Sequence, residues 1–143
     1  MVHHIGVSVA DLERSVAFWT SMLGVPGRDR RILEGPQLGP LLGYPSARID
    51  SCWFDLPGGV ALELLQYLEP VGEAIDPATA NPGNVHVCFR VTDIDAAQAH
   101  AVAAGATPTS AAPIQLRAGR YPGTRMSCLR DPDGVTIELL SRP

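Results

Sequence analysis

Residues 2–9 alternate between apolar and small or polar side chains, which is the two-residue period of a half-buried strand. The period changes at Asp11, a residue suited to capping a helix. Leu12, Val16, Trp19, Met22 and Leu23 then fall on one helical face. Gly24, Pro26 and Gly27 predict where that helix stops. Strand-like stretches follow at 28–34 and 50–56, and the turn Pro57-Gly58-Gly59 leads into another at 60–67. Residues 69–83 hold three prolines and two glycines with little periodicity and read as a linker. Beyond it the scheme returns. A strand is predicted over 84–91 and a helix over about 94–104, capped by Asp93. Strands follow near 113–117, 124–130 and 135–141, the last two joined by Asp131-Pro132-Asp133-Gly134, which has the chemistry of a tight hairpin loop.

The return is literal. His4-Ile5-Gly6-Val7-Ser8-Val9-Ala10-Asp11-Leu12 matches His86-Val87-Cys88-Phe89-Arg90-Val91-Thr92-Asp93-Ile94 at an offset of 82. Gly59-Val60-Ala61-Leu62-Glu63-Leu64-Leu65 matches Gly134-Val135-Thr136-Ile137-Glu138-Leu139-Leu140 at an offset of 75. The seven-residue difference places a longer connection in the first half, at the Gly- and Pro-rich stretch Leu33 to Pro45, a candidate flap. The fold expected is α+β: two pseudo-symmetric βαβββ modules, residues 1–68 and 84–143, forming a shared curved sheet or incomplete barrel with a central cleft. At about 70 residues each, neither module buries its helix and sheet well alone.

Composition narrows the classes. The chain has 143 residues, 45% hydrophobic and 18% charged, as in ordinary globular proteins. A formal net charge of −4 argues against nucleic acid or an anionic membrane as partner, and no apolar run approaches the roughly 20 residues that span a bilayer. Asp11, Glu13 and Arg14 interrupt the N-terminal stretch too early for a secretory signal, so a cytoplasmic location is the expectation. Cys52, Cys88 and Cys128 are odd in number and scattered, which reads as reduced, mostly buried thiols.

The repeat also selects the chemistry. His4 and His86 stand at equivalent places on the first strand of each half, Glu63 and Glu138 on the last. Parity puts Glu63 on a face with Ala61, Leu65 and Tyr67, Glu138 with Thr136 and Leu140, and His4 with Gly6 and Ser8. A lone carboxylate in such apolar strands faces a desolvation cost of several kcal/mol unless a cation or an arginine such as Arg90 or Arg125 answers it. One divalent ion would satisfy all four groups: two imidazoles and two carboxylates suit Zn, Ni, Co, Mn or Fe(II). A lone strand histidine is more often a hydrogen-bonded core residue, but four matched positions are not readily explained that way.

These residues resemble the vicinal oxygen chelate superfamily, which contains glyoxalase I, methylmalonyl-CoA epimerase, extradiol dioxygenases and bleomycin or fosfomycin resistance proteins. The matching pieces are the His4–Leu12 stretch, Leu62-Glu63-Leu64-Leu65, Val85-His86-Val87 and Arg130-Asp131-Pro132-Asp133-Gly134-Val135-Thr136-Ile137-Glu138-Leu139. The resemblance spans essentially the whole chain. It implies paired modules around a metal, usually in a homodimer, with ligands at His4, Glu63, His86 and Glu138. His3 precedes His4, but its parity is wrong and the repeat selects His4. The implied reaction chelates neighbouring oxygens of a small carbonyl substrate and moves a C–H proton through an enolate, as an isomerase, epimerase or lyase does. Glu138 is the expected principal base and Glu63 its partner. An extradiol dioxygenase is disfavoured by the fourth ligand, Glu63. A non-enzymatic antibiotic-binding protein would hold its ligand by stacking on Trp19, Trp53 or Tyr67, although such aromatics equally serve a core. Arg117, Arg120 and Arg125 gather around Gly119, Pro122 and Gly123, where a basic turn offers a place for an anionic group or is simply solvated.

Overall fold

A computed structural model describes all 143 residues, which divide into two compact units, Met1–Ile75 and Asp76–Pro143. Each unit is an α+β module with one mixed, open sheet.

In the first, β1 (His4–Ser8) leads to α1 (Leu12–Leu23), then β2 (Arg28–Glu34), a short α2 (Leu38–Leu42), β3 (Arg48–Asp55) and β4 (Ala61–Glu69). The sheet order is β1-β4-β3-β2, with β1 parallel to β4 and the other pairs antiparallel. The last strand of the module is therefore inserted beside its first. Asp11 caps α1 by accepting from Arg14 N at 3.0 Å, and Gly24 ends the helix in the left-handed region at φ 68°. The buried ridge of α1 is Leu12, Ser15, Phe18 and Trp19, with Val16 only half-buried. It packs on the sheet face that carries Phe54, Leu62 and Leu64, all fully buried. Burying such side chains contributes roughly 1.5–3 kcal/mol each.

The second module repeats this with β5 (His86–Arg90), α3 (Ile94–Ala104), β6 (Thr107–Pro108), β7 (Ile114–Gln115), β8 (Arg125–Arg130) and β9 (Thr136–Ser141). Its order is β5-β9-β8-β6, with β7 also on β8 and β5 parallel to β9. Asp93 caps α3 through Ala96 N, and Ile94 and Ala101 reach a core closed by Leu129, Ile137 and Leu139. Ser127 donates to Gln98 Oε1 at 2.6 Å, which satisfies a polar pair inside that core.

Three expectations are corrected. The strand predicted over 113–117 shrinks to Ile114–Gln115, because Pro113 and the Gly119–Gly123 loop interrupt its pairing, and Thr107–Pro108 adds a pairing of its own. The strand expected over 84–91 is shorter, His86–Arg90. Cys88 is exposed rather than buried, and only Cys52 is fully enclosed. No helix is long and apolar enough to cross a membrane.

Candidate functional site

In the first module β4 lies between β1 and β3, so the Glu63 side chain leaves the sheet from its middle rather than from an edge. Gly6 of β1 and Trp53 of β3 are its cross-strand partners. His4 pairs with Ala61, two residues back along β4, which makes it a diagonal neighbour of Glu63 on the same face. The result is an approach of His4 Nε2 to Glu63 Oε2 of 3.5 Å, with the histidine side chain 41% exposed and the glutamate 10%. The second module has the same geometry. Glu138 is flanked by Cys88 and Cys128, and His86 Nε2 comes within 3.7 Å of Glu138 Oε2.

These separations are long for hydrogen bonds. Two ligands each about 2.1 Å from a common ion at a tetrahedral angle stand about 3.4 Å apart. Each His–Glu pair, one nitrogen and one oxygen, is close to that spacing. Neither module by itself gathers three or more His, Cys, Asp or Glu side chains around one point.

The surroundings of the two pairs differ. Burial is the main cause that pushes the Glu63 carboxyl above its ordinary value, with His4, Arg31 and His3 working against the rise. His3 Nδ1 lies 2.8 Å from His4 Nδ1, and the rings of His3 and His4 both stand edge-on to the Trp53 indole, with centroids 6.3 and 5.1 Å away. Trp53 Nε1 is buried without a hydrogen-bond partner. In the second module two thiols take the places of Gly6 and Trp53. Although Cys88 as a residue is exposed, desolvation of its thiol is the first cause that pushes it up to about 12, followed by its hydrogen bond to Glu138. The Cys128 thiol is raised as well, chiefly by burial. Neither is a thiolate nucleophile under ordinary conditions.

Sequence reasoning passed over His3, because strand parity does not apply to a residue that precedes the strand: β1 begins at His4. Two adjacent histidines at the start of a strand are the available signal. Of the aromatic candidates, Trp19 belongs to the core, whereas Trp53 lies on the face of Glu63. Tyr67 packs against Tyr44 of the connection after α2, with centroids 6.3 Å apart, so that connection does reach the site face of its own module.

The arginines sort differently from expectation. Arg125 is held bidentately by Asp95 of α3 at 2.5 and 2.9 Å, which removes it both from the basic turn and from any pairing with a site glutamate. Arg120 lies over the Tyr121 ring at 5.4 Å. No ion pair joins Arg90 to Glu138 either, and Arg90 closes the same strand that His86 opens.

Comparison with known proteins agrees with this architecture. The profile of the Glyoxalase/Bleomycin resistance protein/Dioxygenase superfamily matches residues 3–124. A 2-epi-5-epi-valiolone epimerase from Actinomyces sp. is 26% identical over 145 residues, covering 99% of this chain and 79% of that protein. A glyoxalase family protein from Bacillus cereus superposes with a TM-score of 0.82 at 22% identity, covering 98% of this chain and 92% of its own. A glyoxalase I variant from Zea mays gives a TM-score of 0.65 at 19% identity over 97% of this chain, which matches 44% of that longer one. With its twice-written strand pairs and a profile match across most of its length, the chain belongs to the glyoxalase/bleomycin resistance protein/dioxygenase superfamily.

Proposed function

We infer that the chain is a divalent-metal-dependent isomerase of the epimerase and glyoxalase kind, acting on a small carbonyl compound, with His4, Glu63, His86 and Glu138 as the metal ligands. The observation that carries this reading is the repeated His–Glu approach, 3.5 Å in one module and 3.7 Å in the other. The likeness to an epimerase over nearly the whole chain supports the reaction class. Homodimer formation, implied by the resemblance, belongs to the same reading and is tested by sedimentation.

The donor set fits such an ion. Two imidazole nitrogens and two carboxylate oxygens satisfy Zn, Ni, Co, Mn or Fe(II). The His3–His4 contact is consistent with it: when His4 donates its Nδ1 proton to His3, its Nε2 lone pair is left on the side of Glu63. What such an ion supplies when bound is charge, which draws electrons from a substrate oxygen and makes the neighbouring C–H more acidic.

The rest is done by the chain. Glu63 and Glu138 each present a largely covered carboxylate, 10% and 15% exposed, beside a histidine of the same module, where either can take up a proton. Epimerisation needs one group to take the proton and one to return it, and the repeat provides two carboxylates for these roles. The Trp53 indole packs edge-on beside His4 and is the cross-strand partner of Glu63.

Metal content of the untagged protein, measured by plasma mass spectrometry, tests the reading. One ion per chain is expected, lost from both Glu63→Gln and Glu138→Gln. Two ions per chain, each variant losing one, would mean two independent half-sites. No ion after reconstitution would overturn the assignment altogether. With one ion bound, screening carbonyl substrates for solvent deuterium uptake at the adjacent carbon tests the reaction.

A further inference from the structure

The two modules share one strand pair but end it differently. At the repeat offsets, Ser8 and Tyr67 of the first module correspond to Arg90 and Arg142 of the second. Arg90 is the last residue of β5, on the face of His86 and Cys88. Arg142 follows β9 directly, two residues beyond Leu140, the cross-strand partner of Arg90. The two arginines line an open cavity of about 460 Å³ together with Val91, Thr92 and Pro143.

The chain has no lysine, so its 11 Lys and Arg positions are all arginines, and several are already engaged. Arg28 holds Asp55, Arg30 holds Asp50, Arg48 holds Glu34 and Arg125 holds Asp95. Arg130 donates to Gly134 O and Thr136 Oγ1. Arg90 and Arg142 make no such pair. The guanidinium of Arg142 instead lies over the Tyr121 ring, 4.1 Å from its centroid. Stacking occupies the flat face of a guanidinium and leaves its in-plane N–H donors free, already oriented. Tyr121 is itself held in a closed loop, where Leu116 N donates to Thr124 O and Gly123 N to Leu116 O. Gly123 has φ 86°, and a Cβ there would meet Pro143 Cγ at 3.0 Å, so the loop and the C-terminal segment that carries Arg142 fit against each other.

Two like charges on residues that line one cavity repel each other, and an oxyanion taken between them turns that repulsion into charge-assisted hydrogen bonding. We propose that the Arg90–Arg142 cavity of the second module is an oxyanion-binding site, taking a carboxylate or a phosphate group. A strand rises about 3.3 Å per residue, so Arg90 stands about 13 Å along β5 from His86. The anion is then the far end of a substrate whose reacting carbons lie toward the His86–Glu138 end. That link to substrate rests on the proposed reaction, whereas the binding site does not. Ser8 and Tyr67 make the first module neutral at the corresponding place, so the scaffold is symmetric and its charge is not.

The test uses the full-length, metal-free chain labelled with ¹⁵N. It is titrated with sodium phosphate and, separately, with sodium acetate, at fixed pH and with chloride holding the ionic strength constant. The arginine Nε–Hε signals report binding. Saturable shifts of Arg90 and Arg142 with either anion are expected, with affinity about tenfold weaker in Arg90→Ala and in Arg142→Ala. Arg142→Lys keeps the charge and loses the fork, and falls between. Arg48→Ala, which removes a paired arginine of the first module, binds as the parent does. Unsaturated shifts shared by every exposed arginine, or equal affinity in the parent and both alanine variants, would overturn the site. No metal enters the measurement, so this proposal and the His–Glu reading fail independently.

Discussion

The Nδ1 atoms of His3 and His4 lie 2.8 Å apart, and this contact fixes which nitrogen of His4 is left to approach Glu63. A metal-ligating imidazole generally donates its other nitrogen to an orienting group, and removing that group costs 10–100-fold in metal affinity. The equivalent of His3 in the second module is Val85, an exposed residue with nothing to offer the His86 ring. The two half-sites are thus unequal in how firmly their imidazoles are held.

His3→Ala is accordingly expected to weaken metal binding by about 10–100-fold while leaving the stoichiometry at saturation unchanged. Competition against a chromogenic chelator measures the first and plasma mass spectrometry the second. An affinity equal to that of the parent would show that His3 plays no part in holding His4.

Asp131 governs the position of the other glutamate. Its Oδ1 accepts from Asp133 N at 2.9 Å and from Val135 N at 2.8 Å, which closes the hairpin that delivers β9 and Glu138. The residue is 4% exposed, so truncation strands two backbone donors. Asp131→Ala should cost about 1–3 kcal/mol in urea unfolding, and Asp131→Asn, which keeps the acceptor oxygen, should cost less. Equal loss in both variants would assign the effect to charge rather than to the turn.

Two ion pairs set part of the acid response. Arg28 holds the Asp55 carboxyl below its ordinary value, and Arg125 does the same for Asp95, in each case chiefly by hydrogen bonding. A carboxylate depressed in the folded state contributes stability that is complete above its unfolded value and is lost as pH falls through its folded value. Both aspartates are exposed, so the contribution is small and screened by salt. Arg28→Gln and Arg125→Gln should each lower the melting temperature slightly at pH 7, with the difference from the parent shrinking as pH falls below about 4. A parallel downward shift at every pH would point instead to lost packing of the arginine stem.

The pattern of the chain determined a great deal by itself. Alternation and helical spacing located β1, α1, β4, β5, α3 and β9, and the two offsets singled out His4, Glu63, His86 and Glu138. These features are local or additive: a strand's period of two follows from backbone geometry, and a repeat needs no knowledge of contacts. Tertiary structure decided what lies beside what. The insertion of β4 next to β1, many residues earlier in the chain, sets Glu63 diagonal to His4, and only that pairing brings the two side chains within 3.5 Å. It also decided which arginines are neutralised. Arg125 looked free along the chain but meets Asp95, 30 residues away, while Arg90 and Arg142 line one cavity and make no side-chain ion pair with Asp or Glu. The flanks of the two glutamates, Gly6 and Trp53 against Cys88 and Cys128, became visible only through strand register. Charge and hydrogen bonding act through space at a few ångströms, so the sequence names the groups, and the non-local pairing of strands chooses their partners.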